Sequence, residues 1–389
     1  MIGVIADDLT GAAELGAVGV RHGLQAEIVR TGRPSPEATV VCVDTDSRAC
    51  DPGEAAKRAA AAAKLLRAAG ARWIYKKVDS VLRGQVTAEI EAVMKQLKLE
   101  RALLLPANPS LGRTIKDGHY YLRGRPLHRT EFAHDPHFPR RSSQVLRLVK
   151  IPESFTMRMM NGDRSLTDGT ILIGDAETPA DVHAWTSSCN PSMLPAGGAE
   201  FFNALLEVEK PVDGNGHGNG HEPLTGSEFF VVGASTQAAR KFVAAARKQK
   251  TPVFSLPQEL AWGAEFTPAA IAAVAQRVVT AFQENCRVIL AVGLPPVRDV
   301  AVARKLSKSI VRVAGEVMRQ VAVSRVYAEG GATAAELVRR MGWSRLTVLR
   351  ELAPGVATLA VDSGESILLT IKPGTYAWPA QWTASPVVC

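Results

Sequence analysis

Four short apolar runs in the first third of the chain each stop abruptly in a polar cluster, and this recurrence limits the available folds more than any other feature. Ile2 to Ala6 ends in ADDLTG, with Asp7, Asp8, Thr10 and Gly11; Thr39 to Val43 ends in DTDSR, Asp44 to Arg48. Trp73 to Tyr75 runs into KKVDSVLRG, Lys76 to Gly84, and Ala102 to Leu105 ends in PANPSLGR. Between them lie helical stretches: Ala12 to His22, the alanine-rich Pro52 to Ala69, and a helix opening after Gly84 with Ala88, Ile90, Val93 and Met94 as its core-facing positions. Apolar runs of this length fit strands buried on both faces, and their alternation with helices indicates a parallel α/β sheet. Parallel strands put their carboxyl ends on one edge, the edge at which open α/β sheets bind ligands. The four clusters are therefore expected at a single site.

The stretch from Gly112 to Pro139 is rich in His, Arg, Tyr and Gly and has little helical periodicity, so it reads as a long functional loop or a short hairpin. The α/β rhythm resumes with a strand at Thr170 to Ile173. PVDGNGHGNGHEP, Pro211 to Pro223, is too dense in Gly and Asn to pack a core and reads as a linker. Beyond it, strands at Phe229 to Val232, Arg287 to Val292, Val326 to Ala328 and Ile367 to Ile371 alternate with helices at Pro268 to Glu284 and Val300 to Val323. The expected architecture is α/β: two domains with mainly parallel sheets flanking an interdomain cleft. Residues 1–210 form the first domain, 211–227 a Gly/Asn-rich linker and 228–389 the second domain.

Composition narrows the function classes. With 389 residues, 46% hydrophobic and 22% charged, the chain can build two cores of ordinary size. A formal net charge of +8 suits anionic partners. Nucleic acid is the weaker choice among them, because Lys and Arg are spread along the chain and no RNP, zinc-finger or helix-turn-helix signature is present. No stretch has the length and charge-free character of a membrane span, and the N-terminus meets two acids before any long apolar run. Five cysteines, odd in number and without a CxxC pair, point to a reducing compartment, the cytoplasm. His119, His128, His134 and His137 are spaced nine, six and three apart, which matches no zinc site, so no metal-ligating residues are assigned.

Two ammonium groups, a carboxylate and a guanidinium at the Lys76 to Gly84 junction suit a small anion. An arginine fork can take a carboxylate bidentately, which favours an acid over a neutral sugar. Asp7, Asp8 and Asp79 are the candidate carboxylates and Arg48, Lys77 and Arg83 the candidate clamps, while Lys76 reads as structural. In the second half, VVGASTQAA and AEGGATAAEL are strand-to-helix turns of the kind that present backbone N–H groups to phosphate, though neither is a Walker A loop or a GxGxxG fingerprint. Acid-holding residues in one domain and phosphate-type turns in the other fit phosphoryl transfer, which needs positioning, charge neutralisation and a carboxylate to orient the attacking hydroxyl.

IADDLTGA (Ile5 to Ala12), DTDSR, KKVDSVLRG, PANPSLGRT (Pro106 to Thr114) and GHYYLRGRPLHRTEFAHDP (Gly118 to Pro136) occur in this order, and together they resemble the four-carbon acid sugar kinase family. The resemblance spans nearly the whole chain. It implies a sugar-acid-binding N-terminal domain and a nucleotide-binding C-terminal domain. The implied reaction is ATP- and Mg²⁺-dependent phosphorylation of the terminal hydroxyl of threonate, erythronate or an oxo-tetronate. Matched residue by residue, it implies catalytic roles for Asp8, Asp79 and Asp7, and acid binding by Arg48, Ser47, Lys77, Arg83, Gly84, Asn108 and His119. Ser235, Gly330, Gly331, Ala332, Thr333 and Gly374 are the implied nucleotide-binding residues. Ala332 stands where the family usually has an acid. TIKPGTYAWP keeps Lys372 and Gly374 of a KSGNFG-like segment but departs at Pro373, Thr375 and Tyr376, and PAGGAEFFNAL replaces a usual GSAGL. These departures carry the alternative of a sugar-acid-binding or sensing protein with an inactive nucleotide site. The partners implied are a small sugar acid and ATP, with no nucleic acid and no membrane. A homodimer is compatible with the sequence, and which aspartate acts as base is left open.

Overall fold

The structure is a computed structural model and describes residues 1–135, 138–149, 156–160, 170–209, 226–262, 264–295, 299–362, 366–374 and 378, the side chains of 134, 156, 158, 160, 170, 261 and 300 excepted. The chain is α/β and divides into two compact units, Met1–His217 and Gly218–Cys389. The linker expected at 211–227 lies, but for its last two residues, outside the described residues, as do Thr375 and Tyr376. Among the described residues no helix is long and apolar enough to cross a membrane.

The first unit runs β1 (Ile2–Ala6), α1 (Leu9–Arg21), β2 (Ala26–Val29), β3 (Val40–Asp44), α2 (Pro52–Ala68), β4 (Trp73–Lys77), α3 (Val86–Leu97) and β5 (Arg101–Leu105). Then follow β6 (Arg113–Lys116), β7 (His119–Leu122), β8 (Arg125–Pro126), α4 (Val145–Leu148), β9 (Thr156–Met160), β10 (Thr170–Gly174), α5 (Pro179–Thr186), β11 (Met193–Gly197) and α6 (Ala199–Glu209). The main strands lie side by side in the order β2-β3-β1-β4-β11-β5-β10-β9, parallel throughout. β6, β7 and β8 make a separate antiparallel sheet, the hairpin alternative for the His- and Arg-rich stretch.

Chain direction fixes where the ligand edge opens. From β1 the chain moves to one side to reach β2 and β3, then crosses β1 to β4 on the other side. Right-handed crossovers therefore place α1 on one face of the sheet and α2 and α3 on the other. The packing agrees: α1 and α5 lie against α6, whereas α2 lies against α3. At such a reversal the loops after β1, β3 and β4 splay apart and leave a crevice at the carboxyl ends of the strands. Those loops are ADDLTG, DTDSR and KKVDSVLRG.

The second unit repeats this beginning. It runs β12 (Glu228–Val232), α7 (Gln237–Lys248), β13 (Val253–Ser255), α8 (Pro268–Phe282), β14 (Arg287–Ala291), α9 (Val300–Met318), β15 (Arg325–Glu329) and α10 (Gly331–Arg340), then β16 (Arg345–Ala353), β17 (Val356–Val361) and β18 (Leu368–Lys372). The strand order is β13-β14-β12-β15-β18-β17-β16, parallel up to β18 and antiparallel through the last two pairings. α8, α9 and α10 pack in one layer. α7 covers the opposite face with Ala239, Phe242, Val243 and Ala246, over Phe230, Tyr327 and Trp378. β12 is thus a second point of reversal.

The sequence reading found the parallel strands that contain a continuous apolar run and missed β2, β9, β11, β13 and the β16–β17 hairpin. β11 is hidden by Pro195, a residue that cannot donate to a ladder. The sheet accommodates it because β11 pairs with β4 only through Ala196 and Gly197, past the proline. α9 stops at Met318, short of the expected Val323.

Candidate active site

The loop after β1 enters α1 through Asp8, the N-cap, whose Oδ1 accepts the Gly11 N–H at 2.8 Å and whose Oδ2 accepts the Thr10 hydroxyl. The loop after β3 is laid against it: the Ser47 and Arg48 amides donate to the Asp7 carbonyl at 3.0 and 3.1 Å. This brings the Arg48 guanidinium onto both acids. Its Nε and Nη2 take the two oxygens of Asp7, each at 2.8 Å, and its Nη1 takes Asp8 Oδ2 at 2.7 Å.

The loop after β4 is built in the same manner. Asp79 accepts the amides of Val81 and Arg83 at 3.1 Å, a turn that returns Arg83 to the carboxylate it follows. Arg83 Nε and Nη2 reach the two oxygens of Asp79 at 2.9 and 2.8 Å, and Nη1 reaches Asp135 at 3.1 Å. Arg48 Nη1 is 3.7 Å from Asp79, so Asp7, Asp8, Asp79, Arg48 and Arg83 form one cluster. Gly84 allows the close approach: its φ is +87°, and a Cβ there would stand 3.0 Å from Asp7 Oδ2 and 3.3 Å from Arg48 Cγ.

The aspartates differ in what they can do. Burial pulls Asp7 and Asp79 upward, but the Arg48 guanidinium outweighs it at Asp7, and those of Arg83 and Arg48 hold Asp79 well below the usual carboxylate range. Both stay anionic and almost wholly enclosed, with side-chain exposures of 3% and 5%, whereas Asp8 is 19% exposed. Of these three aspartates, Asp8 is the one with appreciable exposure.

Several expected binding residues have other duties. Ser47 is fully buried, and its hydroxyl donates to Glu89 Oε1 at 2.5 Å. Glu89 in turn holds Lys76 Nζ at 2.8 Å, so Lys76 and Ser47 belong to an internal strut joining β4, α3 and the Arg48 loop. Lys77 is buried and paired with Glu14 of α1 at 3.1 Å; against the downward pull of burial, that carboxylate raises the ammonium. Asn108 is buried, and its backbone pairs with Arg113. The His119 Nδ1 lies 2.9 Å from the Asp117 carbonyl. Among the described residues no hydrogen bond or ion pair joins either of these two to the aspartate–arginine cluster. Sequence reasoning missed Glu14, Glu89 and Asp135. Asp135 alone stood in a matched motif, within TEFAHDP. No three His, Cys, Asp or Glu side chains among the described residues converge as a metal nest.

In the second unit three turns pack on one another. A Cβ at Gly374 would stand 2.9 Å from Ala234 Cβ, and one at Gly330, whose φ is +98°, would be 3.8 Å from the Ala234 nitrogen. Thr236 caps α7 and donates its hydroxyl to the Gly374 carbonyl at 2.7 Å. Thr333 is buried, with Oγ1 1.8 Å from where a Gly233 Cβ would stand, so its hydroxyl braces the turn from inside. Gly331 opens α10, and Ala332 behind it is exposed. Beneath the turns, Lys372 Nζ meets Glu329 at 3.3 Å, both fully buried, and Trp378 Nε1 donates to Glu329 at 2.7 Å. Beside Ser235, between the ends of β12 and β14, lies a cavity of about 340 Å³. Val232, Val243, Leu294 and Pro295 contribute apolar walls, and Arg240 and Arg247 of α7 also line it.

Residues 2–205 match a sugar-binding N-terminal domain, and residues 229–376 a nucleotide-binding C-terminal domain. A D-threonate kinase of Salmonella typhimurium (strain LT2) is 33% identical over 221 residues, spanning about half of each protein, 52% of this chain and 52% of that one. A 3-oxo-tetronate kinase of Pseudomonas fluorescens (strain Pf-5) is 25% identical over 97% of this chain and 94% of its own. The chain belongs to the four-carbon acid sugar kinase family. Solved structures share the fold: a Salmonella typhimurium LT2 protein superposes with a TM-score of 0.79 at 21% identity, covering 97% of this chain and 96% of that one. A Haemophilus influenzae protein superposes with a TM-score of 0.72, also at 21% identity, over 96% and 97%. In this member of the four-carbon acid sugar kinase family, the sugar-binding match contains the aspartate–arginine cluster and the nucleotide-binding match contains the three packed turns.

Proposed function

We propose that the protein is an ATP-dependent kinase that phosphorylates the terminal hydroxyl of a four-carbon sugar acid: threonate, erythronate or 3-oxo-tetronate. The observation that carries this reading is the cluster at the first reversal point, where one reachable carboxylate, Asp8, stands among two arginines and two locked aspartates. Asp8 orients the acceptor hydroxyl and takes its proton. Asp7 and Asp79 keep Arg48 and Arg83 in fixed directions, from which the remaining N–H donors meet the acid. Phosphoryl transfer asks mainly for this kind of positioning and charge placement.

The cavity beside Ser235 supports the nucleotide half. Its apolar walls suit a base, and Arg240 and Arg247 supply positive charge for phosphates. The turns at Gly233, Gly330 and Gly374 pack closely and carry no side chain of their own at these positions, which suits a phosphate held by backbone N–H groups. Mg²⁺ would enter with the phosphates, since this ion needs only one or two protein carboxylates and keeps much of its own water.

A second reading, acid binding without turnover, is favoured by Ala332, which places an exposed methyl group in the first turn of α10 where the resemblance to the family implies an acid. Coupled ADP-release measurements over the threonate, erythronate and 3-oxo-tetronate isomers, with calorimetry of acid binding alongside, separate the two. Turnover with at least one acid is the expected result. Binding of an acid without turnover of any would sink the kinase reading and leave the second.

A further inference from the structure

The turn that carries Arg83 has a shape that its own residues do not favour. Leu82, the residue before Arg83, has a φ of +62°, in the left-handed region that a side chain makes costly. Inside the turn the Leu82 N–H donates to the Asp79 carbonyl at 2.8 Å, and the Asp79 carboxylate accepts the Val81 and Arg83 N–H groups at 3.1 Å. These bonds join the turn to itself. A left-handed leucine persists where the surrounding structure fixes it from outside. Were Leu82 to relax, Arg83 would swing with it.

The outside hold comes from the stretch beyond β6. Arg140 Nη1 donates to the Leu82 carbonyl itself at 2.9 Å, and the Tyr120 hydroxyl of β7 donates to the Ser80 carbonyl. These two carbonyls flank Val81, whose side chain is buried together with that of Leu82. Arg140 is 7% exposed and is aimed by bonds of its own: its Nε donates to the Phe138 carbonyl and its backbone N–H to the Phe132 carbonyl, each at 2.8 Å. Burial pulls the Arg140 cation downward, Asp79 and Asp135 draw it back up, and the Arg83 guanidinium opposes them. A charged donor removed from water holds a carbonyl more firmly than a neutral one. The Arg140–Leu82 bond is therefore the main outside hold on the turn.

We infer that Arg140, helped by Tyr120, is a positioning residue for acid binding: it pins the Leu82 carbonyl and so keeps the Arg83 guanidinium aimed at the acid. The inference rests on the reading of the first unit as a sugar-acid site with Arg83 as a clamp. Without the pin the turn relaxes at Leu82, and the acid binds only the minor fraction of molecules that keep the aim.

Two measurements on the full-length protein test this: amide hydrogen exchange without ligand, and calorimetric titration with threonate, erythronate and 3-oxo-tetronate. Arg140→Met should speed exchange at residues 81–83 and weaken acid binding, each by about five- to thirtyfold, the population shift set by one left-handed leucine. Tyr120→Phe, which alters no charge, should move both in the same direction by a smaller factor. In an Arg83→Ala background, Arg140→Met should cost less than about twofold in acid affinity, because the residue it aims is gone. Unchanged exchange at 81–83, or unchanged acid affinity, in folded Arg140→Met overturns the inference; if that variant does not fold, Tyr120→Phe decides alone. An undiminished loss in the Arg83→Ala background also overturns it, since Arg140 would then act on the acid directly. So does exchange that quickens equally throughout β4 and α3, the mark of general loosening. Arg83→Ala binding acid as tightly as the unaltered protein removes the clamp and the inference but leaves the sugar-acid reading; failure of the unaltered protein to bind any of the acids removes that reading as well.

Discussion

On the proposed reading Asp8 combines two tasks that are usually separate, capping a helix and facing the acceptor. Asn caps about as well as Asp, so Asp8→Asn should fold normally, with stability changed by no more than about 1 kcal/mol. Its kcat should fall by about 10²- to 10⁴-fold, the range for removing a positioned proton acceptor; an unchanged kcat in steady-state assays would refute the role. Asp44, at the end of β3, makes a different prediction. Burial pushes its carboxyl up to about 7, and the Asp46 carboxylate adds to this against the Arg30 guanidinium at 2.9 Å. A carboxyl raised in the folded state contributes stability that is fully present below its unfolded pKa, about 4, and is lost as pH rises through about 7. Thermal melts should show the unaltered protein losing stability relative to Asp44→Asn between pH 4 and 7, by up to about 1.4 kcal/mol per pH unit. The local run from Lys76 to Arg83 announced a charged site in the sequence but not its charge balance. The acids that answer those cations, Glu14, Glu89 and Asp135, come from α1, α3 and the stretch beyond the small sheet. Among the described residues the junction is a set of matched pairs: Lys76 with Glu89, Lys77 with Glu14, and Arg83 with Asp79 and Asp135.

At the scale of elements, what the sequence shows depends on whether one strand's neighbours can be guessed from its own composition. β1 is apolar from end to end, β3 is so up to its last residue, Asp44, and β5 after its first, Arg101, and all three declare themselves, because strands covered on both faces need no polar side. β11 does not, although it lies between β4 and β5. Its MLPAG run contains a proline, and Gly197 at its end has a use that only the assembled sheet reveals. A Cβ at 197 would stand 2.2 Å from the Leu105 carbonyl oxygen and 2.9 Å from the Tyr75 hydroxyl oxygen, so the strand can seat itself only with glycine there. The seat matters for the core: the Gly198 carbonyl, next along, accepts the Tyr75 hydroxyl at 2.7 Å, and Phe202 of α6 packs 5.1 Å from the Tyr75 ring. Gly197→Ala should therefore destabilise the first unit by about 3 kcal/mol or more, the level of overpacking with backbone displacement. Chemical denaturation followed by far-UV circular dichroism would measure it, and a loss under about 1 kcal/mol would mean that the sheet relaxes around the methyl group.

Across the whole chain the same device appears twice. The order β2-β3-β1-β4 in the first unit and β13-β14-β12-β15 in the second start from a central strand, turn to one side and cross back over it. The residue that caps the helix after the central strand is Asp8 in one and Thr236 in the other, each bonding a backbone N–H three residues on. The repeat is invisible in the residues, since ADDLTG and VGAST share little; it is set by the direction of the chain, which no local pattern carries. Its chemical content has diverged along with those loops. Asp and Arg crowd the first reversal point, while Gly, Ala, Ser and Thr line the second, where a side chain at Gly233 or Gly374 would collide with the neighbouring turn. If both points are ligand edges, ligands should protect them separately in the full-length protein. Hydrogen–deuterium exchange with a saturating sugar acid should slow the amides of the loops after β1, β3 and β4, around residues 7–11, 45–48 and 78–84. An adenine nucleotide with Mg²⁺ should slow those after β12, β15 and β18, around residues 233–236, 330–333 and 373–374. Protection of the first set by nucleotide alone, or of the second by acid alone, would reverse the assignment of acceptor and donor to the two units.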